Sequence, residues 1–112
     1  MKTAHALAAV LLLGACLPAL AAAPATPEKV TVCAACHGAD GKATQPIYPN
    51  LAGQYANYLE HSLKEYRAGN RKNAIMGAQA AGLSDAEIRA LAEYFAAQRS
   101  PLYTPSVHGQ HK

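Results

Sequence analysis

The sequence has few of the large apolar side chains from which small proteins build a core. Its 112 residues include no tryptophan and one phenylalanine, and only 15% are charged. Alanine accounts for nearly half of the 51% of residues in the hydrophobic class. A formal net charge of +3 and ordinary apolar content argue against a disordered chain, and the length allows one domain.

The start of the chain has the pattern of an export signal. Met1-Lys2 is a short positive start, Ala6 to Ala15 is an apolar run, and Ala19-Leu20-Ala21 is a small-residue cleavage motif. The run is too short for a transmembrane helix, which needs about 20 apolar residues. We therefore predict that residues 1–21 are a signal peptide, cleaved at about Ala21 to Ala23, and that the protein is periplasmic.

Cys16 allows a second interpretation of the export segment. The run Leu13-Gly14-Ala15-Cys16 loosely resembles a lipoprotein cleavage box, which would leave the mature chain anchored through Cys16. The later Ala-Leu-Ala site favours ordinary cleavage and a soluble protein. After cleavage at that site, 14 of the remaining 91 residues are Val, Ile, Leu, Met or Phe. So small a core predicts that a disulfide, metal or bound cofactor completes the fold.

The two remaining cysteines form a haem-attachment motif. The run Cys33-Ala34-Ala35-Cys36-His37 is C-x-x-C-H, the signature of c-type haem. Thiols one helical turn apart can form thioethers with the two vinyl groups of one porphyrin edge, and His37 then becomes an axial iron ligand. A disulfide would close a very short loop, a thioredoxin-like pair lacks its βαβ surroundings, and zinc would need two more ligands.

Local signals predict two helices in the first half of the domain. Thr26-Pro27-Glu28 supplies an N-cap residue, a first-turn proline and an acid, which predicts a helix from about Pro27 to Cys36. A second helix is predicted over Gln54–Ala68, with Gly69 as its C-cap. Its apolar stripe has helical spacing and consists of Tyr55, Leu59, Leu63 and Tyr66.

A third helix is predicted after the capping box Ser84-Asp85-Ala86-Glu87, and Pro101 prevents its continuation. Its inner face consists of Ile88, Leu91, Ala92 and Phe95. Residues 38–53 and 70–83 are predicted as long loops, which are usually functional. The sequence thus predicts an all-α fold, with three main short helices and long loops around a flat apolar disc.

Met76 is the candidate for the second axial position on the iron, because it is the only methionine after the export segment. A thioether is a soft ligand, and Met/His ligation raises the reduction potential of haem. The alternatives are that Met76 fills a gap in the core, or that His61 is the ligand. His61 lies beside the apolar stripe, and His108 and His111 lie in the C-terminal tail, which favours solvent-exposed positions for all three.

These motifs together resemble a class I c-type cytochrome of the small bacterial type, close to the c4, c5 and c553 groups. The resemblance runs from about Val30 to Gln98. Its pieces are Cys33–Gly41, Pro49–Gln54, Tyr58-Leu59, Tyr66–Gly69, Arg71, Met76, Leu83–Asp85 and Leu91–Phe95. It implies the cytochrome c fold around one covalent haem c, and a hydrogen bond from the His37 ring N–H to the Pro49 carbonyl. It also implies that the first and third helices cross, with Tyr94 or Phe95 at the contact.

The same resemblance implies a domain division and a function. Residues 24–100 would form the cytochrome c domain. Residues 101–112 lie outside the resemblance; we predict a flexible tail there, with docking to a partner subunit as the alternative. The implied protein is an electron carrier rather than an enzyme, with an Fe(III)/Fe(II) couple ligated by His37 and Met76. The alternatives are a cytochrome subunit of a larger periplasmic dehydrogenase or oxidase, and a haem sensor or catalyst with an open iron site.

The charge balance bears on partners. After the export segment, nine Lys or Arg stand against seven Asp or Glu, which gives no basis for nucleic-acid binding. We expect redox proteins as partners, with a partner subunit as the alternative, and no small-molecule substrate. Four bases cluster at Lys64, Arg67, Arg71 and Lys72. One interpretation is a docking patch for an acidic redox partner. Another is that Arg67 or Arg71 pairs with a haem propionate. The third is a solvated face, which is favoured for Lys64 and Lys72.

Overall fold

The regular structure of the chain is helical throughout the part that the computed structural model describes, residues 26–103. The helices are α1 (Val30–His37), α2 (Ala56–Ala68), α3 (Ala74–Ala80) and α4 (Asp85–Ala96). The all-α prediction is confirmed, with four helices in this range where three were predicted. None of these four helices is long and apolar enough to cross a membrane. The predicted signal peptide, Cys16 and residues 104–112 lie outside the described range.

The capping box at the start of α4 is formed as predicted. The Glu87 backbone N–H donates to the Ser84 hydroxyl oxygen over 3.3 Å, and the Glu87 carboxylate accepts the Ser84 backbone N–H over 2.8 Å. The predicted inner face is buried at all four positions, Ile88, Leu91, Ala92 and Phe95. A capping box satisfies backbone donors that a helix start otherwise leaves unpaired, so the sequence sets this boundary locally.

The core joins α1, α2 and α4. Val30 of α1 and Leu59 of α2 lie in one buried cluster with Leu91 and Phe95 of α4. The Tyr94 hydroxyl donates to the Ala39 carbonyl, just after α1, over 2.9 Å. Both aromatic residues of α4 therefore lie where this helix meets α1 and the loop that follows it.

The start of α1 and one residue of the α2 stripe differ from the predictions. α1 begins at Val30 and not at Pro27, because the Pro27 carbonyl first closes a turn by accepting the Val30 N–H over 3.0 Å. Thr26 is therefore not the N-cap. Tyr55 precedes α2 with extended backbone and is 79% exposed, so it does not belong to the buried stripe.

The prediction that residues 70–83 are mostly loop is wrong, because α3 lies inside this stretch. The Asn73 side chain caps this helix, and three alanines, at positions 74, 78 and 80, favour helical backbone. The helix has only seven residues and contains Gly77, so it is too short and too interrupted to produce a helical period in the sequence.

Gly41→Ala is expected to destabilise the holoprotein more than Gly69→Ala. Both glycines have φ near +75°, where alanine costs about 1–2 kcal/mol. A Cβ at Gly41 would lie 2.7 Å from the Ala52 nitrogen and 2.9 Å from the Phe95 ring, whereas a Cβ at Gly69 would meet nothing within 4 Å. We expect a further loss of at least about 1 kcal/mol at Gly41 in urea unfolding. Equal losses would contradict this account.

Candidate haem site

The last two turns of α1 carry both cysteines of the motif. Cys33 and Cys36 are three residues apart, so they lie on one side of the helix. Both are free thiols and both are half-buried, with Cys33 packed against the core cluster. Burial raises the pKa of the Cys33 thiol. Both sulfur atoms are therefore available for thioether bonds.

His37 is the last residue of α1, and its ring is buried and held. Only 6% of the residue is exposed, and its Nδ1 lies 2.9 Å from the Pro49 carbonyl oxygen. A carbonyl can only accept a hydrogen bond, so Nδ1 carries the proton and donates it. The lone pair of Nε2 is then free for a metal, and the hydrogen bond fixes the orientation of the ring and strengthens it as a ligand. The hydrogen bond that the resemblance implies is present in the structure.

The loop after α1 is closed by hydrogen bonds that place Pro49. The Gly41 carbonyl accepts the backbone N–H groups of Leu51 and Ala52 over 2.7 and 3.1 Å. The Asn50 side-chain oxygen accepts the Ala43 N–H over 2.9 Å. These bonds hold the residues on either side of the loop together, so the Pro49 carbonyl is presented to His37 by an ordered segment.

Tyr48 is a neighbour of the motif that sequence reasoning missed. Its ring centre lies 6.2 Å from that of His37, with an interplanar angle of 61°. The neighbouring Cys36 side chain raises the pKa of the Tyr48 phenol. The sequence could have indicated this, because Tyr48 directly precedes Pro49. The residue next to the hydrogen-bond acceptor of His37 must also lie close to the His37 ring.

Met76 lies on α3, and not in a loop. It is half-buried, and its backbone N–H donates to the Asn73 side-chain oxygen over 2.9 Å. α3 packs against α2, whereas the cysteines and His37 belong to α1. The structure thus brings Cys33, Cys36, His37 and Pro49 together and holds Met76 on a separate element, and its role as the second ligand remains a prediction.

The cluster of bases in α2 and in the residues that follow it is partly used within the fold. Arg67 donates to the Asp85 carboxylate over 2.6 Å and to the Leu83 carbonyl over 2.8 Å. This guanidinium lowers the pKa of Asp85 and ties α2 to the start of α4. Lys64 pairs with Glu60 over 2.6 Å. Arg67 therefore has a structural role, which weakens its interpretation as a docking or propionate residue.

The donor groups of α1 fit haem c. Two free thiols one turn apart suit thioether attachment, and an imidazole with a free Nε2 suits an axial position on iron. Several large apolar side chains are also exposed, among them Ile47 at 74% and Ile75 at 58%. The domain has few large apolar side chains, and some of them are exposed to solvent instead of being buried in its core.

A family model described as cytochrome c matches residues 28–98. Cytochrome c-554(548) of Halomonas halodenitrificans is 51% identical over 79 residues, which are 68% of this chain and 95% of that protein. The thiosulfate dehydrogenase electron acceptor of Stutzerimonas stutzeri is 44% identical over 72 residues, which are 62% of this chain and 33% of that protein. The match thus spans almost the whole length of the Halomonas protein and about a third of the length of the Stutzerimonas protein.

The fold is similar to that of a solved cytochrome c4. The crystal structure of reduced recombinant cytochrome c4 from Pseudomonas stutzeri superposes with a TM-score of 0.57 at 36% sequence identity. The match covers 60% of this chain and 38% of that one. The helices described above therefore have a counterpart in a solved structure.

Proposed function

Because the chain belongs to the cytochrome c family, we propose that it is an exported, single-haem carrier that passes electrons between redox proteins. Haem c is the cofactor of this family, and haem-based electron transfer is its function. When bound, haem c supplies an Fe(III)/Fe(II) couple that takes up and releases one electron. The observation that carries the proposal is the buried His37, placed beside two free thiols and held by Pro49.

Three residues of α1 would hold the cofactor. Cys33 and Cys36 would attach the porphyrin through thioethers, so that the cofactor cannot dissociate. His37 would bind the iron through Nε2, because Nδ1 is engaged with Pro49 over 2.9 Å. A ring fixed in this way needs little rearrangement when the iron changes its oxidation state, which favours electron transfer.

Met76 would complete the coordination from α3. Its thioether would raise the reduction potential, and its presence would leave the iron without a site for substrate. The half-buried position of the residue supports this role, because a thioether that ligates iron must turn away from solvent. The exposed position of His61 argues against the rival ligand.

The far-red absorption of the oxidised holoprotein tests this assignment. We expect the charge-transfer band of a Met–iron bond in the ferric protein, and no carbon monoxide binding by the ferrous protein, because both axial positions are filled. Absence of the band, or ready binding of carbon monoxide, would leave an open iron site. The chain would then be a haem sensor or catalyst rather than a carrier.

The proposed location is the periplasm. Residues 1–21 would be removed as a signal peptide, and residues 24–100 would form the haem domain. The pattern of the export segment supports this proposal. Mass spectrometry of the mature amino terminus distinguishes cleavage near Ala21 from a lipidated start at Cys16.

A subunit role is the second candidate. One relative of this chain is named as the electron acceptor of a thiosulfate dehydrogenase, so a dehydrogenase is a reasonable donor class here. In this case the chain would bind a larger enzyme as its cytochrome subunit. A second chain that copurifies stoichiometrically with the haem protein would support the subunit, whereas an isolated monomer supports the free carrier.

A further inference from the structure

The link between α2 and the helix that carries Met76 is short and fastened to α2. It comprises residues 69–73 and begins with Gly69 in the left-handed conformation, which ends α2. The backbone N–H groups of Asn70 and Arg71 both donate to the Glu65 carbonyl, over 3.0 and 3.1 Å. The first half of the link is thus held by the last turn of α2.

The Arg71 side chain adds a second attachment to α2. Its guanidinium donates to the Ser62 hydroxyl over 3.1 Å and lies 4.8 Å from the centre of the Tyr66 ring. Ser62 is buried, so this bond also satisfies a polar group that solvent reaches poorly. These contacts fix the direction in which the chain leaves α2, and so they fix the position of residues 72 and 73.

Asn73 joins the end of this link to the first turn of α3. Its side-chain oxygen accepts the Met76 backbone N–H over 2.9 Å, and its carbonyl accepts the Gly77 N–H over 2.8 Å. The side chain of Asn73 therefore bonds directly to the backbone of the proposed ligand. The bond fixes the Met76 backbone in the first turn of α3.

Apart from its packing against α2, α3 has little to keep it helical. It has seven residues, an internal glycine and no charged residue that complements its dipole, and Ala80 is its one buried residue. Helices of this length are marginal without stabilising contacts, and an N-cap is among the strongest local ones. The order of the Met76 backbone thus depends on this packing and on a small number of hydrogen bonds, of which the Asn73 cap is one.

We infer that Asn73 is a positioning residue for Met76: its side chain pre-forms the first turn of α3 and so strengthens the Met76–iron bond. The inference rests on the proposed ligand role of Met76. With the cap in place, less conformational entropy is lost when the thioether binds, so the bound state is more populated. Without the cap, the thioether leaves the iron more often.

Imidazole titration of the ferric holoprotein tests the inference, because imidazole binds the iron only where Met76 has left it. Asn73→Ala is expected to tighten the apparent binding of imidazole by roughly 2- to 30-fold, the equilibrium effect of losing an N-cap. Asn73→Ser keeps a side-chain acceptor and is expected to bind imidazole close to the wild-type affinity.

Ser84→Ala is the matched control, because it removes the N-cap of α4, which does not carry Met76. It is expected to lower the melting temperature as Asn73→Ala does, with unchanged imidazole affinity. If Asn73→Ala binds imidazole no more tightly than Ser84→Ala, the inference is wrong. If wild type already binds it as tightly as Met76→Ala, the ligand role of Met76 is wrong instead.

Discussion

The Cys33→Ala, Cys36→Ala double variant is expected to carry no covalent haem and to be largely unfolded. Both thiols are needed for thioether attachment, and each is free in the structure. The haem is also expected to supply the apolar mass that the chain lacks, since small domains without enough core depend on a bound group.

The described core shows why the apoprotein should not fold. The buried apolar side chains larger than alanine are Val30, Leu59, Ile88, Leu91 and Phe95. Against these stand several apolar side chains that the fold leaves exposed, such as Ile47 and Ile75. Burial of so few large side chains cannot offset the conformational entropy that the chain loses on folding.

Two measurements check this expectation. A pyridine haemochrome spectrum reports covalent haem, and far-ultraviolet circular dichroism reports helix content. Ala35→Ser is the matched control, because it changes an exposed residue between the cysteines and retains both thiols and His37. A double variant that keeps wild-type helix content and unfolds cooperatively without haem would contradict the account of the missing core.

Features set by local chemistry could be predicted from the sequence. The capping box of α4 depends on side chains three residues apart, and Gly69 ends α2 in the left-handed conformation as predicted. The family followed from the haem motif and the residues around it, and the match to residues 28–98 confirms it. For the two helix ends the information lies within a few neighbouring positions, and for the family it lies in short motifs that can be read without knowledge of the tertiary contacts.

Features that depend on tertiary contacts could not be predicted. Arg67 appeared to belong to a basic patch, but its partner Asp85 is 18 residues away and meets it only after α2 and α4 pack. α3 was missed because a seven-residue helix has no clear period, although Asn73 before an alanine-rich run was an available signal. Tyr55 matched the helical spacing of the stripe, but it precedes the first turn of α2.

Met76→His is expected to lower the reduction potential of the holoprotein by more than about 0.1 V, within the span of about 0.8 V that axial ligands set. The physical reason is the difference between the two donors. A thioether is soft and favours Fe(II), whereas an imidazole is a stronger donor that stabilises Fe(III). Redox titration followed in the visible spectrum measures the potential directly.

Ala78→His is the matched control for this variant. Ala78 is exposed on the same helix, and two residues along α3 place it on a different side from Met76. The control adds an imidazole without replacing the thioether, so its potential should stay close to that of wild type. Equal potentials for Met76→His and wild type would contradict the assignment of Met76 as ligand.

The expected fall in the reduction potential of Met76→His can be distinguished from an effect of unfolding. Met76 is half-buried, and it is not among the buried residues that join α1, α2 and α4. The thioethers from Cys33 and Cys36 would hold the cofactor whichever residue fills the sixth position. The Met76→His variant should therefore retain covalent haem and a cooperative unfolding transition while its potential falls, because the proposed roles separate: α1 would retain the cofactor, and Met76 of α3 would tune its potential.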